Sequence, residues 1–456
     1  MAESTQRLFL EHALLPGGWA RNVAVEVEGG AIRSVTPDAS PDGCERIPGI
    51  VLPGLPNLHS HTFQRGMAGL AETRGPSGDS FWTWRQVMYR FLAHLTPEDV
   101  ESIAAFAMME MLEGGFTSLA EFHYLHHDRD GRPYAEIGEM AGRIAAAAAL
   151  TGMGLTLLPV FYANGGFGGV SPNEGQRRFV CDVESFGRLL ESSRRAAATL
   201  DDAKVGIAPH SLRAVTPETL AEVLRLVPEG PVHIHVAEQT KEVEDCLAWS
   251  GRRPVAWLLD HAPVDRRWCL VHATHLDADE VRRFASTGAV AGLCPLTEAN
   301  LGDGTFSGPA FLDAGGAFGV GSDSNVEIAA PGELKQLEYS QRLARRGRNL
   351  LAEREGESTG RSLYGRALTG GAQALGRRVG AIAPGCRADL VALDAAHPDL
   401  AGLSGDRILD AYVFVTGRAA IDRVVVGGRT LVERGRHRDR DAIATRYVRT
   451  MARIRS

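Results

Sequence analysis

At 456 residues the chain exceeds what one compact domain ordinarily holds, so a large domain with a smaller companion is expected. Its 44% hydrophobic and 23% charged residues describe a folded globular protein and exclude a disordered or fibrous one. A formal net charge of -7 with no long basic block gives no footprint for nucleic acid, which is therefore not an expected partner.

Taken in chain order, the opening MAESTQRLFLEHALLPGG has no basic segment leading into an apolar stretch, and the longest apolar run, residues 145–158, is interrupted by Gly152 and Gly154. A cytoplasmic protein without a membrane segment is expected. Residues 23–27 and 31–35 alternate in polarity around Gly29 and Gly30, the pattern of small antiparallel strands. The same texture returns at 388–393 and 421–429, so residues 1–50 and 380–440 are expected to pair into one discontinuous β-sandwich domain. Residues 441–456 read as a terminal helix or tail.

Between the two ends, residues 51–379 alternate short apolar strands with helical patterns. Strands are predicted at 154–161, 205–209, 232–236, 269–273, 289–294 and 317–321, with helices at 98–113, 217–227 and 277–286. Such alternation implies parallel βαβ units, and about eight of them suit a (β/α)8 TIM-like barrel; an open doubly wound sheet has the same pattern. The alanine run 145–149 reads as helix, and the glycines of 165–169 lack the strand-to-helix context of a dinucleotide site and read as an active-site loop. The six cysteines form no C-x-x-C pair, which excludes a zinc ribbon or disulfide framework and leaves free thiols, with Cys269 and Cys294 as packing residues.

Four segments carry candidate chemistry. In Leu52-Pro53-Gly54-Leu55-Pro56-Asn57-Leu58-His59-Ser60-His61 two imidazoles lie two residues apart at the end of an apolar run, so on a strand they face the same way and suit one metal ion. Val232-His233-Ile234-His235-Val236-Ala237-Glu238 ends another strand with a histidine and a carboxylate. Leu270-Val271-His272-Ala273-Thr274-His275 and Gly319-Val320-Gly321-Ser322-Asp323-Ser324-Asn325 complete the set. Each taken alone reads equally as a core or surface histidine or a capping Asp. Together they fall where a barrel gathers its strand ends.

His59-Ser60-His61, His235 with Glu238, His272 and Asp323 resemble the signature of the amidohydrolase superfamily over nearly the whole chain, and residues 380–391 resemble that superfamily's return into its flanking β-sandwich. The resemblance implies one Zn2+, with Fe2+ or Co2+ as substitutes, held by His59, His61, His235 and Asp323, and no lysine stands at the fourth strand end, Ala208-Pro209-His210-Ser211-Leu212-Arg213, to bridge a second ion. It implies further that Asp323 takes a proton from the attacking water, Glu238 protonates the substrate nitrogen and His272 stabilises the tetrahedral adduct.

Within that superfamily, His61-Thr62-Phe63-Gln64-Arg65-Gly66, Trp82-Thr83-Trp84-Arg85, Glu121-Phe122-His123-Tyr124, the segment 208–213 and the segment 294–304 resemble the formimidoylglutamate deiminase family. By that resemblance Gln64, Arg85, Tyr124, His210 and Arg213 contact a small substrate bearing two carboxylates, the enzyme hydrolyses N-formimino-L-glutamate in histidine degradation, and it forms a homodimer. Arginine forks suit carboxylates, whereas an ordinary surface ion pair is the plain alternative for Arg85 and Arg213. Phe81, Trp82 and Trp84 keep open an aromatic base, guanine-like or pterin-like, as the substrate, and a non-enzymatic scaffold is the reading from a different class. His233 is expected to pack deeper in the barrel, His275 to enter a helix, and His123, His126 and His127 to be ordinary, exposed loop histidines.

Overall fold

The computed structural model describes residues 5–76 and 78–455. Residues 1–4 of the first expected segment and Ser456 of the tail lie outside the described residues.

Seven continuous strands and one interrupted strand run parallel around a barrel: Leu55–Ser60, Phe116–His123, Gly154–Phe161, the pair Lys204–Val205 and Ala208–Pro209, Val232–Val236, Trp268–His272, Val290–Leu293 and Ala317–Val320. Ladders join successive strands on either side of the interrupted one. Bridges Ile207 to Val232 and Ser211 to His235 carry the ring across the fourth strand, and Ser60 to Asp323 joins the first strand to the chain just past the eighth. The sheet therefore closes. Every residue of Phe116–His123, Gly154–Phe161, Val232–Val236 and Trp268–His272 is buried, as expected of strands covered on one face by helices and filled on the other by the barrel interior.

The helices begin where the local chemistry favours it. Thr96 and Asp99 form a reciprocal capping box before Pro97–Glu113, Thr216 and Thr219 do so before Pro217–Leu224, and Asp277 and Glu280 before Ala278–Ser286. The alanine run lies inside Glu139–Thr151, which ends on left-handed Gly152. The strand expected at 205–209 is split into Lys204–Val205 and Ala208–Pro209, both registered on the third strand, with Ile207 between them bridged to Val232 of the fifth.

Strands from the two ends of the chain form one eight-stranded sheet. They meet where Leu390–Leu393 runs antiparallel to Glu45–Pro53, with Leu390 opposite Pro53 and Leu393 opposite Ile50. Alternation divides the faces: Leu390, Ala392 and Val425 join Leu8, Val25 and Ile47 in the sheet's own core, while Val391, Leu393, Val424 and Val426 pack with the barrel's core. The terminal helix Arg440–Arg455 lies on Pro97–Glu113, with Arg446 bonded to Glu101 at 2.6 Å and Arg453 paired with Asp99. Six free cysteines are present, four of them buried.

Candidate active site

Strand ends at one mouth of the barrel deliver the polar side chains. His59 and His61 come from the first strand end, His235 from the fifth, His272 from the sixth and Asp323 from the turn after the eighth. Gly321 permits this junction, because a Cβ there would lie 2.6 Å from the His59 carbonyl oxygen and 2.8 Å from its nitrogen. With no side chain in the way, Asp323 N–H reaches the His59 carbonyl and His61 N–H the Asp323 carbonyl, both at 3.0 Å. A buried polar chain reinforces the joint: Asn57 donates to Ser322 Oγ at 2.7 Å, Ser322 Oγ donates to Asn325 at 2.6 Å, and Asn325 Nδ2 donates to Ser60 Oγ at 3.0 Å. Ala237, His272 and Asp323 have positive φ, 53°, 67° and 44°, a conformation that L-residues adopt only where the surroundings enforce it.

His59, His61, His235 and Asp323 are all buried, and one donor atom from each lies within 4.8 Å of the others. Asp323 Oδ1 is 3.4 Å from Nε2 of His59 and 3.4 Å from Nε2 of His61, and His235 Nε2 is 3.1 Å from His59 Nε2. His61 Nδ1–H donates to the Phe122 carbonyl at 2.8 Å and His235 Nδ1–H to the His210 carbonyl at 3.1 Å. Those bonds leave both Nε2 atoms as lone pairs turned into the cluster, the tautomer a metal requires. Burial holds all three imidazoles neutral, pushing His59 down to about 3. Facing lone pairs beside a carboxylate fit a cation between them.

Beside this cluster, His272 Nε2 stands 3.8 Å from Asp323 Oδ2 and 3.7 Å from Glu238 Oε1. Burial opposes a charge on His272, but Glu238, Glu298 and Asp323 around it raise its pKa overall. Burial also raises Glu238, against the pull of His272 and Arg213, so its carboxyl can carry a proton near neutrality. Glu242 accepts from the N–H groups of Ala237 and Glu238, both at 3.1 Å, and so fixes the turn that presents Glu238.

The cleft over these groups is lined by His61, His235, Glu238, His272 and Asp323 together with all five expected substrate residues, Gln64, Arg85, Tyr124, His210 and Arg213. His59 lies beneath, fully buried. Gln64 Nε2 donates to the Tyr124 hydroxyl at 2.8 Å, leaving buried Gln64 Oε1 without a donor. Arg85 and Arg213 make no ion pair among the described residues, and Nε of the first and Nη1 of the second are buried without an acceptor. Their guanidinium carbons lie 4.6 Å and 5.8 Å from the ring of Trp82, so this indole supports both cations. Phe81 and Trp84 do line the cleft; Trp82 does not.

Sequence reasoning missed several residues here. Glu298 accepts from His272 Nδ1–H at 3.3 Å and from Cys294 N–H at 2.8 Å. Tyr162, just past the third strand end, lines the cleft and accepts from Gln176 Nε2 at 2.6 Å; the strand-end position was the signal available for it. His233 packs as expected, bonded to the Ala374 carbonyl at 2.8 Å, and His275 precedes the Asp277 cap, bonded to the Asp303 carbonyl at 2.9 Å. The expectation of exposed loop histidines fails: His123, His126 and His127 are 1%, 0% and 3% exposed. Buried Arg178 pins that loop by accepting His126 and His127 N–H at its carbonyl, both at 3.0 Å, and by donating to the His127 carbonyl at 2.9 Å. Neither of the metal-capable clusters found among the described residues includes these three.

The amidohydrolase family profile matches residues 50–431, and the profile of the N-terminal domain of formimidoylglutamate deiminase matches residues 5–48. A formimidoylglutamate deiminase of Pseudomonas aeruginosa is 52% identical over 451 residues, covering 98% of this chain and 99% of its own. The chain belongs to the formimidoylglutamate deiminase family of amidohydrolases. This amidohydrolase is accordingly a hydrolase of C–N bonds with a site able to hold a metal ion. It is also 31% identical to an 8-oxoguanine deaminase of the same organism, covering 89% of this chain and 86% of that one. The crystal structure of an amidohydrolase from Brucella melitensis superposes with a TM-score of 0.94 at 54% identity, covering 99% of this chain and 100% of the other. An adenosine deaminase from Xanthomonas campestris with bound zinc shares the fold, with a TM-score of 0.80 at 23% identity, covering 99% and 98% of the two chains. Among the described residues no helix is long and apolar enough to cross a membrane.

Proposed function

We propose that this enzyme hydrolyses N-formimino-L-glutamate to N-formyl-L-glutamate and ammonia, a step of histidine degradation, using one zinc ion held by His59, His61, His235 and Asp323. The observation that carries the reading is the pair Arg85 and Arg213, two guanidiniums without ion-pair partners among the described residues, in the same cleft as the acid–base groups. A substrate with two carboxylates at one end and an amidine at the other matches that division.

In this reading the arginines grip the carboxylates and so set the amidine carbon over Asp323 and His272. Gln64 Oε1, held by the bond from Gln64 to Tyr124, accepts from an amidine N–H, and His210 closes the wall beside it. When bound, the zinc ion supplies a Lewis acid that makes water acidic near neutral pH. Asp323 takes the proton of the attacking water through Oδ2, the oxygen turned away from His59 and His61. Cationic His272 stabilises the charge that develops on the tetrahedral adduct, and Glu238 passes a proton to the departing nitrogen, which leaves as ammonia. We further place the enzyme in the cytoplasm as a homodimer acting on a small molecule, with no nucleic acid involved.

The test is ammonia release by the purified, zinc-loaded protein. Turnover of N-formimino-L-glutamate is expected. Turnover of a purine or pterin in its place would give the cleft to an aromatic base, the reading that the rings of Phe81 and Trp84 favour.

A further inference from the structure

Behind the acid–base groups lies a thiol that the proposed chemistry does not use. Cys294 is 0% exposed, and a donor atom from each of His272, Cys294 and Asp323 lies within 4.8 Å of the others. The thiol has only the Gly292 carbonyl, 4.0 Å away, as a hydrogen-bond acceptor among the described residues. Asp323 presents two faces: Oδ1 toward His59 and His61, Oδ2 toward His272. His272 commits Nδ1–H to Glu298, so its Nε2 is the atom turned toward Asp323.

We propose that His272, Cys294 and Asp323 form a second cation position, distinct from the four-residue cluster, which takes a thiophilic divalent ion such as Cd2+, or Zn2+ in excess, and inhibits the enzyme. A thiolate, an imidazole and a carboxylate are a donor set that selects soft or borderline ions over Mg2+ or Ca2+. Donors on a tetrahedral ion stand about 3.5 Å apart; His272 Nε2 and Asp323 Oδ2 already stand 3.8 Å apart and no pair exceeds 4.8 Å, so binding needs only a slight closure. The Cys294 S–H bond and the Nε2–H bond of cationic His272 both break, sulfur–metal and nitrogen–metal bonds form, and the two protons go to solvent, with no change of oxidation state. Asp323 then bridges two ions through separate oxygens. Inhibition follows because the second ion occupies His272 Nε2 and Asp323 Oδ2, the atoms assigned to adduct stabilisation and proton transfer. The cleft already reaches both residues, which gives an ion its path.

The inference rests on the one-ion site proposed above. The experiment titrates Cd2+ into protein carrying one equivalent of zinc and follows bound metal, ultraviolet thiolate-to-cadmium absorption and ammonia release. A second retained equivalent is expected, with the thiolate band rising as activity falls. Cys294→Ala is expected to keep the activity of the one-ion enzyme, to lose the band, and to weaken the second ion by at least the ~10- to 100-fold that loss of even an outer metal partner costs. Cys294→Ser, closer in size and shape, serves if the alanine variant folds poorly, and its band is also expected to vanish. Absence of a thiolate band in the unaltered protein, or its persistence with the second equivalent in both variants, overturns the proposal. Failure to turn over N-formimino-L-glutamate would instead overturn the substrate assignment, leaving the metal and absorption readouts intact.

Discussion

Glu298 Oε1 lies 3.3 Å from Nδ1 of His272, and the same oxygen accepts the Cys294 N–H at 2.8 Å, so the end of the seventh strand dictates how the sixth-strand imidazole is oriented and charged. Glu298→Gln keeps the shape but removes the negative charge. It is expected to lower kcat by about 10- to 100-fold with KM and metal content little changed, since the loss falls on charge stabilisation. Steady-state kinetics with metal analysis checks this; an altered KM at unchanged kcat would move Glu298 out of that role.

Asp323→Asn tests the bridge between binding and chemistry. The variant should fold, because the backbone bonds from His61 and to His59 do not involve its side chain. Its kcat should fall by about 10²- to 10⁴-fold, the usual range for losing a general base. Stripping metal from the unaltered protein with a chelator should likewise abolish turnover and lower Tm, because an ion that binds only the folded state stabilises it, and zinc should restore both.

Arg213→Ala should raise KM by about 10- to 100-fold, the worth of a charge-assisted pair, without loss of metal. Trp82→Leu should produce a smaller rise, about 3- to 30-fold, by removing the ring that both guanidiniums share. Equal kcat/KM for the unaltered and Arg213→Ala enzymes on the dicarboxylate would contradict the proposed grip.

Glu121 of the second strand holds the turn that follows the first, accepting Thr62 N–H at 2.8 Å and the Thr62 hydroxyl at 2.7 Å. Burial pushes its carboxyl up to about 8, against the pull of the Thr62 donors, from an ordinary 4.5. The folded state therefore holds a proton that the unfolded state releases; the resulting stability is complete below about 4.5 and is lost as pH climbs through about 8. Glu121→Gln cannot titrate, so between about pH 6 and about pH 9 its Tm should fall less than that of the unaltered protein, as thermal unfolding across that range would show.

The strand ends were legible because an apolar run that stops abruptly at His59, His235, His272 or Asp323 marks both the barrel's period and its polar mouth. Arg85 and Arg213 were located only through family resemblance, since nothing local to either distinguishes a substrate fork from a surface ion pair. Glu298 and Tyr162 gain their meaning from partners 26 and 14 positions away, His272 and Gln176, and spacing does not report such contacts. The polar run around His126 and His127 read as solvent-exposed because the buried Arg178 that holds it comes some fifty residues later, its Nε bonding the His127 carbonyl across a separation of 51.

The contact between Ser60 and Asp323 has a consequence for biosynthesis. A nascent chain emerging from the ribosome can present His59, His61 and His235 long before Asp323 is made, so the carboxylate arrives only with the segment that seals the barrel. Under the proposed ligand set, a chain stalled short of residue 323 lacks both the carboxylate for the ion and the bridge that joins the ring's two ends.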